Sequence, residues 1–188
     1  MNQCRKISDD IKRASLSTHT PVKRFLNINA MKNADVTFVI ANSRWNGKRY
    51  WNHIPYAEGI LTAVLRREGF SVNHVDANIE DLSPSELASR LKELKPKVVA
   101  IGAMTIEYKE MIHQAFDIIK ASTPSTITIV GGVYPTLSRD VVMQDKNIDY
   151  IVLSEGEERL PKLLRAIDAG KGFEDIDGLC YRVDGEWR

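Results

Sequence analysis

Asp35-Val36-Thr37-Phe38-Val39-Ile40-Ala41 is a short β-branched run preceded by polar residues. A strand with one face in water alternates apolar and polar side chains, whereas a near-continuous apolar run marks a strand covered on both faces. Working outward, similar runs stand at Phe70–Val75, Lys97–Ala103 (KVVAIGA), Thr126–Val130 (TITIV) and Asp149–Leu153. Helical patterns fill the gaps. Pro55 stands at a helix start, and Ala57, Ile60, Leu61, Val64 and Leu65 recur at three and four residues until Gly69 stops them. Ser83-Pro84-Ser85-Glu86 is a capping box with proline at the first helical position, and Leu87, Leu91 and Leu94 form the buried stripe behind it. A third helix carries Tyr108, Met111, Ile112, Ala115 and Ile119 on one side, with His113, Lys109 and Asp117 on the opposite, polar side. A shorter helical stretch lies around Val141 and Val142, and Leu160, Leu163, Leu164 and Ile167 mark the last helix, ended by Gly170. Leu179–Val183, Asp184-Gly185 and Glu186–Arg188 read as a hairpin whose second arm stops short.

Strands that alternate with helices pair in parallel, because parallel neighbours need a crossover and the helix supplies it. The pattern therefore predicts an α/β fold, a doubly wound, Rossmann or flavodoxin-like five-stranded parallel sheet with helices on both faces. With 188 residues, 43% hydrophobic and 27% charged, the chain suits one globular domain and is no disordered or fibrous protein. Its longest apolar run, Val98–Met104, falls far short of the ~20 residues that span a bilayer. Residues 1–30 lack the apolar stretch of a secretory signal, and Cys4 and Cys180 stand far apart without metal-ligand spacing, so a reducing, cytoplasmic setting is expected.

The net charge of +1 hides an asymmetry. Residues 1–33 carry seven Lys or Arg against Asp9 and Asp10, a head of +5 on a body of −4. Such a head can reach nucleic acid or a membrane, but it has no sustained apolar face and reads more simply as a solvated extension.

In doubly wound sheets, ligands bind beyond the carboxyl ends of the strands, near the point where strand order reverses. That rule selects the loops Asn42–Ile54, Ala103–Glu107, Gly131–Thr136 and Ser154–Glu157. They exclude several chemistries. A dinucleotide site needs a glycine-rich turn after the first strand, but Asn42-Ser43-Arg44-Trp45-Asn46-Gly47 has one glycine. A phosphate-accepting receiver needs acids after the first and third strands and a lysine after the fifth; Asn42, Met104-Thr105 and Ser154 stand there instead. No serine occupies a nucleophile elbow, so no catalytic residue is assigned. What remains is a surface suited to a large ligand. Gly131-Gly132 lets backbone come within contact distance of whatever lies above it, Thr105 offers a hydroxyl, and Ser154-Glu155-Gly156-Glu157 begins a helix. Taken singly, each is better explained by capping and turn chemistry.

As a set they go further. Pro55-Tyr56-Ala57-Glu58-Gly59, Gly69-Phe70-Ser71-Val72 leading to Asp76, Val98-Val99-Ala100-Ile101-Gly102, Val130-Gly131-Gly132-Val133-Tyr134-Pro135-Thr136 and Asp149-Tyr150-Ile151-Val152-Leu153-Ser154-Glu155-Gly156-Glu157-Glu158 together resemble the N-terminal cobalamin-binding domain of cobalamin-dependent radical S-adenosylmethionine (radical SAM) proteins. The resemblance covers about residues 34–183. It implies a domain that holds cobalamin with the corrin ring over the strand ends and the nucleotide tail beside the fourth strand, where Gly131 and Gly132 leave room. Candidate cofactor-binding residues are then Asn42, Ser43, Met104, Thr105, Gly131, Gly132, Tyr134, Pro135, Ser154, Glu155 and Gly156. Thr105 matches a family position that hydrogen-bonds the tail or corrin edge.

The family's catalytic half carries a Cys-x3-Cys-x2-Cys motif for an iron–sulfur cluster, which two distant cysteines cannot supply. The resemblance therefore implies a fragment: 1–33 a basic extension, 34–170 the cobalamin-binding-like domain, and 171–188 the start of a hairpin or linker to a radical SAM domain. The 4Fe–4S cluster and S-adenosylmethionine would reside only on that partner domain. The family also commonly has glycine where Ser154 stands. Related cobalamin domains use Asp-x-His-x-x-Gly to supply an axial imidazole with its orienting carboxylate; in Trp51-Asn52-His53-Ile54-Pro55-Tyr56 only His53 coincides, so no metal ligand is assigned. Two other classes stay open. Trp45, Tyr50 and Trp51 interleaved with Arg44, Lys48 and Arg49 would suit an RNA-binding module, although an acidic body repels polyanions. A cofactor-free interaction domain follows if every loop is only capping.

Overall fold

A computed structural model of the chain describes residues 34–47 and 54–188. The basic head and the readings of Lys48, Arg49, Tyr50, Trp51 and His53 lie outside the described residues. The chain runs β1 (Val36–Ile40), α1 (Tyr56–Arg67), β2 (Val72–Asp76), α2 (Pro84–Leu94), β3 (Val98–Gly102), α3 (Lys109–Ser122), β4 (Ile127–Gly131), α4 (Val133–Leu137), α5 (Arg139–Val142), β5 (Tyr150–Val152), α6 (Gly156–Ala169), β6 (Leu179–Val183) and β7 (Glu186–Trp187). Single turns of 3-10 helix precede α1 at Trp45–Gly47 and α3 at Ile106–Tyr108.

The strand order is β2-β1-β3-β4-β5-β6-β7. β1 to β5 are parallel, as the alternating pattern requires. The expected five-stranded, all-parallel sheet is corrected to seven strands and a mixed sheet, because β6 joins β5 antiparallel and β7 follows it. The cause lies after α6. That helix ends at Gly170, whose φ of +66° breaks it, and residues 171–178 then run back along the sheet edge before entering β6 beside Val152. Phe173 stacks on Tyr150 at 5.5 Å and Leu153 N donates to Gly178 O at 2.8 Å along this return. Asp184 and Gly185, with φ of +53° and +87°, form the tight turn between β6 and β7.

Each face of the sheet buries its own core. α2 and α3 cover one with Leu87, Leu91, Leu94, Ile112, Phe116 and Ile119 against Val99, Ile101 and Val130. α1 and α6 cover the other with Leu65, Leu160, Leu163 and Leu164 against Phe38, Ala100 and Ile129. The capping box at α2 forms as its sequence predicts: Ser83 N donates to Glu86 Oε2 at 2.8 Å, and Glu86 N to Ser83 Oγ at 3.3 Å. The stripe expected on α1 is corrected. Leu65 is buried, but Ile60 is 51% exposed and Ala57 is outside the core, while Glu58 and Thr62 take the inward positions above Leu65. Glu58, Thr62 and Leu65 share one helix face at the ordinary spacing, so α1 carries a polar upper half toward the strand ends.

Candidate ligand cavity at the strand ends

β1 lies between β2 and β3, so strand order reverses at β1 and β3, where a crevice is expected. A cavity of about 450 Å³ opens there at the carboxyl ends of β3, β4 and β5 and runs down between α1 and α6. Phe38, Ala100, Ile129, Val152 and Leu160 make its apolar interior, and Met104, Val133 and Leu137 stand exposed at its mouth. Glu58, Glu155 and Glu157 are its acidic lining groups, and no Lys, Arg or His occurs among its described lining residues.

Backbone geometry shapes the mouth. Gly132 has φ of +103°, and a Cβ there would sit 2.8 Å from the Ala103 carbonyl oxygen. That carbonyl accepts from Tyr134 N at 2.9 Å, and Ala103 N donates to Gly131 O at 2.8 Å, so the turn after β4 is fastened to the end of β3. Glycine at 132 is thus required by the turn itself. Gly131 differs: its φ is ordinary, and a Cβ would only reach contact with Val152 O at 3.4 Å. At Gly102 a Cβ would overlap the Glu58 carboxylate, so this glycine at the end of β3 makes room for that side chain.

Thr136 ties two loops together. Its hydroxyl donates to Gly132 O at 2.7 Å and accepts from Ser154 N at 2.8 Å. Ser154 stands at φ +55°, a left-handed conformation that glycine adopts at less cost.

The structure brings Met104, Gly131, Gly132, Ser154, Glu155 and Gly156 together around the cavity. The other five candidates are placed elsewhere. Asn42 Nδ2 donates to Asp81 Oδ1 at 3.0 Å and to Leu82 O at 3.2 Å, and Ser43 donates to Asn78 Oδ1 through both N and Oγ. Thr105 Oγ1 accepts from Glu107 N at 3.3 Å and caps the 3-10 turn. Pro135 is buried in α4. Tyr134, 2% exposed, points its hydroxyl at His113 Nε2 (3.0 Å), whose Nδ1 meets Asp145 Oδ2 at 2.5 Å. Burial raises the Tyr134 pKa, with Glu110 and Asp145 acting in the same direction. His113, expected on a polar face, is therefore half-buried in this chain of hydrogen bonds. Glu58, Gly102 and Thr136 also line the cavity; all three stand in the stretches that carry the resemblance, but the sequence reading did not take them as binding residues.

The aromatic and basic loop contributes little to a nucleic-acid face where it is described. Trp45 is buried with Nε1 donating to Leu82 O at 2.9 Å, and Arg44 forms an ion pair with Asp81.

Fold and cavity define an α/β domain built to receive a ligand at the carboxyl ends of its strands. Residues 47–164 match the B12 binding domain family, and the chain belongs to that family. It is 31% identical over 134 residues to the anaerobic magnesium-protoporphyrin IX monomethyl ester cyclase of Cereibacter sphaeroides, covering 67% of this chain and 21% of the cyclase. Two solved structures share the fold. The radical S-adenosylmethionine methyltransferase TsrM from Kitasatospora setae, with cobalamin and an iron–sulfur cluster bound, has a TM-score of 0.68 and 22% identity over 81% of this chain and 29% of its own. The cobalamin-dependent S-adenosylmethionine radical enzyme OxsB, with aqua-cobalamin and S-adenosylmethionine bound, has a TM-score of 0.70 and 20% identity over 84% of this chain and 22% of its own. The chain spans 21% to 28% of the length of five curated relatives that it matches.

The residues present fit one part of cobalamin well. Cofactor sites fill roughly 300–1,000 Å³, and a cavity of about 450 Å³ suits a nucleotide tail but not the macrocycle. The apolar interior and the exposed apolar Met104, Val133 and Leu137 at the mouth suit a tail below and a flat ring above. Among the described residues, no group of three or more His, Cys, Asp and Glu could hold a metal ion.

Proposed function

We propose that this domain holds a corrinoid at the carboxyl edge of its sheet, tail in the cavity and ring over the mouth, and presents it to a radical SAM catalytic domain. The observation that carries the reading is the apolar cavity between α1 and α6, open at the ends of β3, β4 and β5 in a chain of the B12-binding family. Phe38, Ile129 and Leu160 would enclose the tail, Gly131 would leave it room, and Thr136 would fix the two loops that flank the entrance. Cobalamin, when bound, supplies a cobalt centre that can carry a methyl group or assist radical chemistry. The 4Fe–4S cluster and S-adenosylmethionine would belong to the partner domain, in keeping with the cluster bound in TsrM and the S-adenosylmethionine bound in OxsB. In this reading residues 34–170 are the ligand domain, 1–33 a basic extension, and the hairpin within 171–188 the link toward the catalytic domain. The setting would be reducing and cytoplasmic, in keeping with the buried free thiol of Cys180.

The test is retention of colour. Protein incubated with hydroxocobalamin and passed through a desalting column should carry a corrinoid spectrum near one equivalent. Protein that elutes colourless overturns the reading.

A further inference from the structure

The cavity between α1 and α6 has two tiers, and strand register separates them. Gly102, Gly131 and Val152 lie side by side at the strand ends, and Phe38, Ala100 and Ile129 lie side by side one pleat below. Leu61 and Leu160 line the cavity one turn further along α1 and α6 than Glu58 and Gly156. A Cβ on Gly156 would stand 3.2 Å from Leu61 Cδ2, so the two helices close on each other there. Polarity follows the tiers. Thr136, Ser154, Glu155 and Glu157 belong to the loops and the first turn of α6 at the mouth, and the Glu58 carboxylate lies against Gly102 in the upper tier. Among the described lining residues, none at the lower tier has a polar side chain. Its backbone groups are engaged as well, because β1, β3 and β4 each lie between two neighbours and bond to both. Ala100 leaves the room at this depth, since the residues level with it on either side are the larger Phe38 and Ile129. A polar atom that reaches the lower tier therefore leaves water without gaining a hydrogen-bond partner.

We infer that the lower tier selects among corrinoids by the base that ends the nucleotide tail, admitting a hydrocarbon-rich base and discriminating against a purine, with Ala100 setting the depth available. The inference rests on the proposed function and deepens it. Corrinoids share the ring and differ in this base. Dimethylbenzimidazole presents a benzene ring with two methyl groups, which gain from leaving water. Adenine presents ring nitrogens and an exocyclic amine in the same place, and each of these buried without a partner weakens binding.

The dicyano forms of cobalamin, of its adenine analogue and of cobinamide, which lacks the nucleotide, are titrated into the parent protein and Ala100→Leu. Cyanide on both faces of cobalt frees the base in each nucleotide-bearing form, so the strength with which either base holds cobalt does not enter. The parent should bind dicyanocobalamin about 10- to 100-fold more tightly than the adenine analogue. Ala100→Leu, whose added carbons occupy the lower tier, should weaken dicyanocobalamin about tenfold and leave dicyanocobinamide unchanged. Equal affinity of the parent for the two nucleotide-bearing forms overturns the selection. Parent-like affinity for dicyanocobalamin in Ala100→Leu overturns the role of Ala100; should that variant not fold, Ala100→Val is read in the same way. A protein that retains hydroxocobalamin on the desalting column, yet binds dicyanocobalamin no more tightly than dicyanocobinamide, holds the ring and not the tail, which overturns the inference while leaving corrinoid binding intact. A protein that elutes colourless overturns the proposed function and this inference with it.

Discussion

The Thr136 hydroxyl accepts a hydrogen bond from the Ser154 backbone N–H at 2.8 Å while donating to the Gly132 carbonyl at 2.7 Å. One side chain thereby joins the turn after β4 to the loop after β5, the two segments that flank the cavity mouth. Strand ends carry no ladder beyond their last pair, so their separation depends on contacts of this kind.

Thr136→Val keeps the shape of the side chain and removes both hydrogen bonds. A neutral hydrogen bond contributes ~0.5–1.5 kcal/mol, so the variant should lose about 1–3 kcal/mol of stability in urea unfolding, and Thr136→Ser should recover most of it. An unchanged midpoint in Thr136→Val would show that the latch does not hold the loops.

Ser154 adopts φ +55° without needing a side chain at that place for its own hydrogen bond to Thr136, which uses the backbone N–H. A non-glycine residue in this region costs about 1–2 kcal/mol, partly offset by the greater freedom of glycine in the unfolded chain. Ser154→Gly should therefore stabilise the domain by about 0.5–1 kcal/mol, read as a higher melting temperature. A lower one would mean that the serine hydroxyl does more than the strain costs.

Local signals carried much of this fold. The runs at 35–41 and 97–103 contain β1 and β3, and the Ser83–Glu86 box starts α2 where it should, because propensity and capping act over a few residues. The hairpin turn at Asp184-Gly185 was equally local, but its attachment to β5 was not: Val152 meets Leu179 across 27 positions of chain. The site was half legible for the same reason. Strand-end position identified the loops, yet the direction of Tyr134 is set by His113 and Asp145 on separate elements, and Glu58 turns inward against the apolar count of its own helix.

Gly131 and Gly132 should separate stability from binding. Gly132→Ala places a Cβ 2.8 Å from a backbone oxygen at a φ of +103°, so it should cost more than about 2 kcal/mol of folding stability with or without ligand. Gly131→Ala meets only ordinary contact at 3.4 Å and should unfold within about 1 kcal/mol of the parent. Gly131→Val, filling the space beside β4, should bind hydroxocobalamin more weakly while remaining folded. Full corrinoid affinity in that variant would move the tail away from β4.

His74 gives the domain a specific acid sensitivity. Its ring stacks on Phe38 at 5.4 Å between centroids and meets Thr62 Oγ1 at 2.9 Å. Burial holds its pKa below the ordinary value of 6.5, Arg66 lowers it further, and Asp76 opposes the shift. Because the folded pKa is the depressed one, the unfolded chain takes up the proton first as pH falls. The stability linked to His74 is therefore complete above about pH 6.5 and declines as pH drops from there toward the folded pKa. His74→Gln retains a hydrogen-bonding side chain but does not titrate, so its urea midpoint should stay flat through pH 6.5–5.5, where that of the parent falls. Parallel curves for the two proteins across that interval would assign the acid response to other groups.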